Sequence, residues 1–116
     1  MKFEISNKDG AVQLVIEGQL DAVSVSDLRD DLDRLVDTRP QRVDVELSNL
    51  RMIDSSGVGA LVSLYKRVRS QGGSVTVKGL RDQPLAIFRL LRLDRVMLGS
   101  DTRPPPPTQK SAKSRG

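Results

Sequence analysis

Cysteine and histidine are both absent from this chain, and so is tryptophan. Without cysteine there are no disulfides, no thiolate nucleophile and no Cys-based zinc site. Without histidine there is no Ser-His triad, no imidazole acid–base group and none of the commonest transition-metal ligand. No metal site and no cofactor are therefore expected. Two Phe and one Tyr are the whole aromatic complement, which leaves no platform for stacking bases. No run approaches the roughly 18 apolar residues of a membrane-spanning helix. Met1-Lys2-Phe3-Glu4 does not open an apolar stretch of signal-peptide length. The expectation is a soluble, cytoplasmic chain that does not meet the membrane, a monomer when free.

The length of 116 residues suits one domain with its own core. The formal charge of +4 invites comparison with nucleic-acid binders, but its location argues otherwise. Four basic residues, Arg103, Lys110, Lys113 and Arg115, lie beyond residue 102, where there is no acid. Residues 1–102 then hold 15 basic residues against all 15 acids and are formally neutral. A neutral body gives no electrostatic footprint for nucleic acid, so no direct contact with it is expected.

Phe3 and Ile5, then Val12, Leu14 and Ile16, alternate with polar residues as half-buried strands do. Asn7-Lys8-Asp9-Gly10 between them has hairpin chemistry, so residues 2–17 read as a β-hairpin. From Val25, the apolar residues Leu28, Leu32, Leu35 and Val36 follow helical spacing. Ahead of them Asp21 to Ser26 supplies capping residues, with Ser24 and Ser26 read as caps. Thr38-Arg39-Pro40 stops this helix, because the residue before proline is pushed out of the α region. Val43, Val45 and Leu47 form a strand ending near Asn49, and Met52-Ile53 is a short apolar strand that runs into the next helix. There Val58, Leu61, Val62, Tyr65 and Val68 make one apolar stripe, and Gln71-Gly72-Gly73 ends it. Val75 and Val77 are strand-like. Asp82-Gln83-Pro84 starts a third helix, with Asp82 as its cap and Leu85, Ile87, Phe88 and Leu91 as its apolar side. Val96-Met97-Leu98 is read as a final strand or an apolar plug.

The expected order is β-β-α-β-α-β-α-β. It implies one α/β domain over residues 1–99, with a mixed four- to five-stranded sheet and three to four packed helices. The opening hairpin is antiparallel and the later units parallel. Residues 100–116 contain four consecutive prolines and scattered basic residues, and read as a disordered Pro-rich basic tail.

Asp54-Ser55-Ser56-Gly57-Val58-Gly59 is the segment that most needs explaining. As plain structure, Asp54 or Ser55 caps a helix at a strand-to-helix turn. That leaves Gly57 and Gly59, each costing about 0.5–1 kcal/mol relative to Ala inside the first helical turns. As an enzyme, Ser55 or Ser56 would be a nucleophile, but no histidine base exists. Neither the Gly-x-Ser-x-Gly elbow nor a P-loop is present. An enzyme is not expected.

Gly18-Gln19-Leu20-Asp21 resembles the Gly-Glu-Leu/Ile-Asp of STAS domains. So does the run from Val45 through Asp54-Ser55-Ser56-Gly57-Val58-Gly59, where the family has a strand followed by Asp-Ser-Ser/Thr-Gly-Leu-Gly. Tyr65-Lys66 and Gln71-Gly72-Gly73 also match, and the likeness covers roughly residues 3–98. It is similar above all to the bacterial anti-sigma factor antagonists. That resemblance implies a partner switch that binds an anti-sigma factor, a serine kinase of the GHKL type. The kinase phosphorylates the serine after the aspartate, here Ser55, and the complex comes apart. A PP2C-type phosphatase restores binding. Ser55 is chosen over Ser56 by the resemblance alone. Asp21 and Asp54 would shape the acceptor site and meet the partner, Ser56 and Gly57 would let the kinase approach, and Val58 would lie at the docking edge or in the core. The alternative is a non-enzymatic STAS scaffold subunit, such as the small partner of a transport ATPase. Two departures stand out: Leu91-Arg92-Leu93 replaces the family's Thr-Gly-Leu, and the Pro-rich tail is an addition.

Overall fold

The computed structural model describes residues 1–97. Strands β1 (Lys2–Lys8) and β2 (Ala11–Leu20) pair antiparallel, with Lys8 opposite Ala11. Asp9 and Gly10 form the connection with φ of 52° and 82°. Two central residues with positive φ define the turn whose twist matches paired strands. The hairpin expected from Asp-Gly is therefore present.

Helix α1 (Ala22–Asp37) follows, then β3 (Arg42–Glu46), β4 (Leu50–Ile53), α2 (Ser55–Ser70), β5 (Ser74–Lys78), α3 (Asp82–Leu90) and a short α4 (Asp94–Met97). The sheet runs β1-β2-β3-β5, and β4 pairs separately with β2. Every pairing other than that of the hairpin is parallel. The mixed five-stranded sheet is as expected; the element order is not.

Two segments account for the difference. The chain between Val43 and Ile53 is two strands. After Glu46, the Leu47 N–H still donates to Lys78 O at 2.9 Å, and Leu50 N–H then turns back onto Leu47 O at 3.1 Å. That turn moves the chain from the β5 side to the far end of β2, where β4 forms. The fifth strand is this one. The expected terminal strand at Val96-Met97 is instead helical, because Val96 and Met97 both donate to Leu93 O, at 3.1 and 2.9 Å. Met97 is buried as an apolar plug, and Leu98 lies outside the described residues, as does the tail 100–116.

One long strand serves two neighbours. Residues Ala11–Val15 of β2 pair with β3, and Gly18–Leu20 pair with β4, with a register shift between Gly18 and Gln19. Val12, Leu14 and Ile16 are buried, as are Val43, Val45, Val75 and Val77. They meet Leu28, Leu32 and Leu35 of α1 and Leu61, Leu64 and Val68 of α2 in one core. The alternate row, with Gln13, Glu17, Asp44, Glu46 and Lys78, is mostly polar, with Val15 its half-buried apolar member, and is wholly or partly exposed. The fold is thus a two-layer α/β sandwich with a solvated sheet face.

Third-helix details depart from the sequence reading. Arg81 occupies the cap position without a side-chain capping bond, and Asp82 has φ of 54°. Asp82 is therefore not the expected cap. The loss of glycine near residue 92 does not prevent a left-handed stop, since Arg92 itself takes φ of 60°. Leu93 N–H then donates to Phe88 O at 2.8 Å.

Phe88 is fully buried and anchors α3 to the core. Phe88→Ala should lower the unfolding free energy by about 3–5 kcal/mol in urea titration. A loss below about 1 kcal/mol would mean that α3 is not part of the cooperative unit.

Candidate functional site

Residues Leu20 and Ile53 are the last of β2 and β4 and stand opposite each other in parallel register. The next residues, Asp21 and Asp54, each have extended backbone and each cap the helix that follows. Asp21 Oδ1 accepts from Ser24 N–H at 3.0 Å, and Asp54 Oδ1 accepts from Gly57 N–H at 3.0 Å. Asp54 N–H meanwhile donates to Leu20 O at 3.2 Å. Two helix starts, each with unpaired N–H groups and a partial positive charge, are thereby set side by side.

Asp21, which the family resemblance assigns to the acceptor site, is the α1 cap in the structure. Ser24 does not cap; it is buried, and its hydroxyl donates to Gln19 O and Asp21 Oδ1, both at 3.0 Å. Ser26 is exposed within the helix. The bonds from Ser24 stabilise the charged form of Asp21, so its carboxyl is held below the ordinary carboxylate range, with the backbone bond the first cause.

Ser55 and Ser56 are both exposed, at the first two positions of α2. No acid follows them in the first turn. Gly57 is different. It is buried, and a Cβ there would lie 2.5 Å from Leu20 O and 2.7 Å from Ile53 Cγ1. The domain's own packing therefore requires glycine, which corrects the reading of Gly57 as an opening for a partner. Val58 is 7% exposed and belongs to the core, so it is not part of an exposed docking edge. Gly59 faces open space, with nothing within 4 Å of a Cβ.

An open groove of about 420 Å³ runs between α1 and α2, lined in part by Ala22, Ser56, Gly59, Ala60 and Ser63. At its side Arg67 Nη1 donates to Asp33 Oδ1 at 2.8 Å, joining the two helices. The pair is half exposed and adds little stability. A larger open depression of about 960 Å³ lies by Gly18, Asn49, Arg51 and Arg81 and includes neither Ser55 nor Ser56.

One residue at the site was not legible in the sequence. Gln83, in the first turn of α3, accepts from Ile53 N–H through Oε1 and donates to Ile53 O through Nε2, both at 3.0 Å. Its position thirty residues from Ile53, in a helix start, carries no local signal of that contact.

Fold and site define a small α/β module that displays a serine pair beside two capped helix starts. The chain belongs to the STAS domain family: the family described as "Mlab, STAS domain" matches residues 3–99. The anti-sigma-B factor antagonist of Bacillus subtilis (strain 168) is 27% identical over 99 residues, which is 84% of this chain and 88% of that protein. An anti-sigma factor antagonist from Mycobacterium paratuberculosis superposes with a TM-score of 0.70 at 21% identity, covering 92% of this chain and 86% of that one. The Bacillus cell fate determinant SpoIIAA in its phosphorylated form gives 0.68 at 16% identity, covering 97% and 93%. At these identities the structural likeness is one of fold. The resemblance expected from Gly18–Asp21 and Asp54–Gly59 is borne out.

The two glycines of α2 should respond with opposite signs. Gly57→Ala should destabilise by about 1–3 kcal/mol through overlap with Leu20 O. Gly59→Ala should stabilise by about 0.5–1 kcal/mol, as expected of an open helical site. Paired denaturant titrations check this, and a stable Gly57→Ala would contradict the packing. For Asp21, the folded-state carboxyl has the lower pKa, so its capping contribution is present in full above the unfolded value of about 3.9 and is lost as pH falls through the folded value. The stability difference between wild type and Asp21→Asn should shrink across that acid range. A difference that stays constant with pH would contradict it.

Proposed function

We propose that this chain is an anti-sigma factor antagonist working as a phosphorylation-controlled partner switch. Unphosphorylated, it binds an anti-sigma factor that is a serine kinase of the GHKL type; phosphorylation of Ser55 releases it, and a PP2C-type phosphatase resets it. The observation that carries the reading is an exposed serine at the first position of α2, directly after the cap Asp54. The antagonist names of the relatives support it. Ser55 is preferred to Ser56 on family likeness, since both are exposed. The chain itself acts as a substrate and a binding surface, with no catalytic group of its own.

Phosphate adds about −1.5 to −2 charges at pH 7. At the start of α2 that charge faces unpaired N–H groups and the positive end of the helix, so the domain retains its fold. A partner packed over Ser55 and the α1–α2 groove would have to bury the same charge beside Asp54. Leaving such charge unmatched in an interface costs several kcal/mol, and each 1.4 kcal/mol is about a tenfold loss of affinity.

Incubation with GHKL-type kinases and ATP, followed by mass spectrometry, should show one added phosphate on Ser55 that is absent from Ser55→Ala. A phosphate on Ser56 would overturn the assignment. No modification, with stable binding to a transport ATPase, would favour the scaffold alternative. Ser55→Asp should bind the kinase at least about tenfold more weakly at unchanged thermal stability; equal affinity would count against the electrostatic release.

A further inference from the structure

We propose that Gln83 is a positioning residue for the serine turn: its carboxamide stands in for the second neighbouring strand that β4 lacks among the described residues, and so holds Ile53-Asp54-Ser55 in place. For Ser55 as acceptor this rests on the function proposed above. Strand β4 has four residues and is held on one side by β2. Along a strand, successive residues direct their backbone groups to opposite sides. Asp54 N–H turns toward β2, reaching Leu20 O, so the N–H and C=O of Ile53 face away from it. Both are met by Gln83, Oε1 accepting and Nε2 donating at 3.0 Å. A carboxamide presents one donor and one acceptor in a plane, as a peptide unit does.

The same region grips the beginning of the segment. Arg81 Nε donates to Ser48 O at 3.0 Å, so side chains two positions apart at the start of α3 hold both ends of the Ser48–Ile53 run. Phe88 in turn fixes α3 to the core. The position of Ser55 is therefore set from two sides: by β2, through Asp54 N–H, and by α3, through Gln83. The hydrogen bonds from α3 to Ile53 are made by a single side chain, so removing it tests the positioning directly.

The test uses full-length Gln83→Met, which keeps chain length but loses both polar groups, and Gln83→Glu. Above its carboxyl pKa of about 4.3 the Glu has no proton to offer Ile53 O; below it, the carboxylic acid both donates and accepts. Amide exchange of Ile53 followed by NMR should be faster by about five- to tenfold in the Met variant at every pH. In the Glu variant it should be faster at pH 7 and return toward wild type, compared at equal pH, below the carboxyl pKa. With a kinase that modifies wild type, kcat for Ser55 should fall by about tenfold in the Met variant while KM is retained, as misplacement of a reacting group produces. Unchanged exchange at Ile53 overturns the proposal, and so does faster exchange with unchanged kcat. If wild type is not modified at all, the acceptor reading fails, and exchange at Ile53 with its acid recovery alone decides for Gln83.

Discussion

The parallel pairing of the last residues of β2 and β4 is the constraint on which the rest of the site depends. With Leu20 opposite Ile53 and Asp54 N–H bonded to Leu20 O, both strands end at the same level. The residue after each strand must then leave the sheet, and in both cases it is an aspartate that caps a helix. The two helices run back over the same sheet face and share its core. Close approach at this point also dictates Gly57, since no Cβ fits against the carbonyl of Leu20.

That geometry divides one short motif into inward and outward parts. Asp54, Gly57 and Val58 are occupied by capping and packing, while Ser55 and Ser56 face solvent. In the proposed switch, a modifying enzyme would reach a hydroxyl at an exposed helix start without unfolding anything. The charge added by the proposed phosphorylation would lie where the helix accommodates it, so the change would be felt by whatever packs against the surface rather than by the core. A switch of the proposed kind would transmit charge instead of shape. It needs neither histidine nor cysteine in the chain that carries it.

Much of this was legible because it is local. Asp9-Gly10 specifies a turn through the backbone conformations those residues accept, and the period of Val25 to Val36 specifies a helix face. Gln71-Gly72-Gly73 marks a helix end. Misreadings arose where a segment's partner lies far along the chain. Leu50–Ile53 is too short to show a period, and only its pairing with β2 gives it a separate place in the sheet. Val96-Met97 has strand-like composition but closes onto Leu93 as a helical turn. Ser24 has the composition of a cap, yet the neighbouring Asp21 takes that place and turns the serine inward. Arg92 adopts a left-handed conformation that composition assigns to glycine.

By itself the sequence determined the hairpin, the helix faces, a cap at Asp54 or Ser55, and the serine pair. Each of these follows from residue type, or from a period shorter than one element. Only the tertiary structure decided that the two aspartates lie at paired strand ends, that Gly57 is demanded from within, and that Gln83 closes the open side of β4. Those depend on backbone groups from distant segments coming within hydrogen-bonding or van der Waals distance. No local preference encodes such contacts, because the donor, acceptor or carbonyl that makes them necessary belongs to another part of the chain.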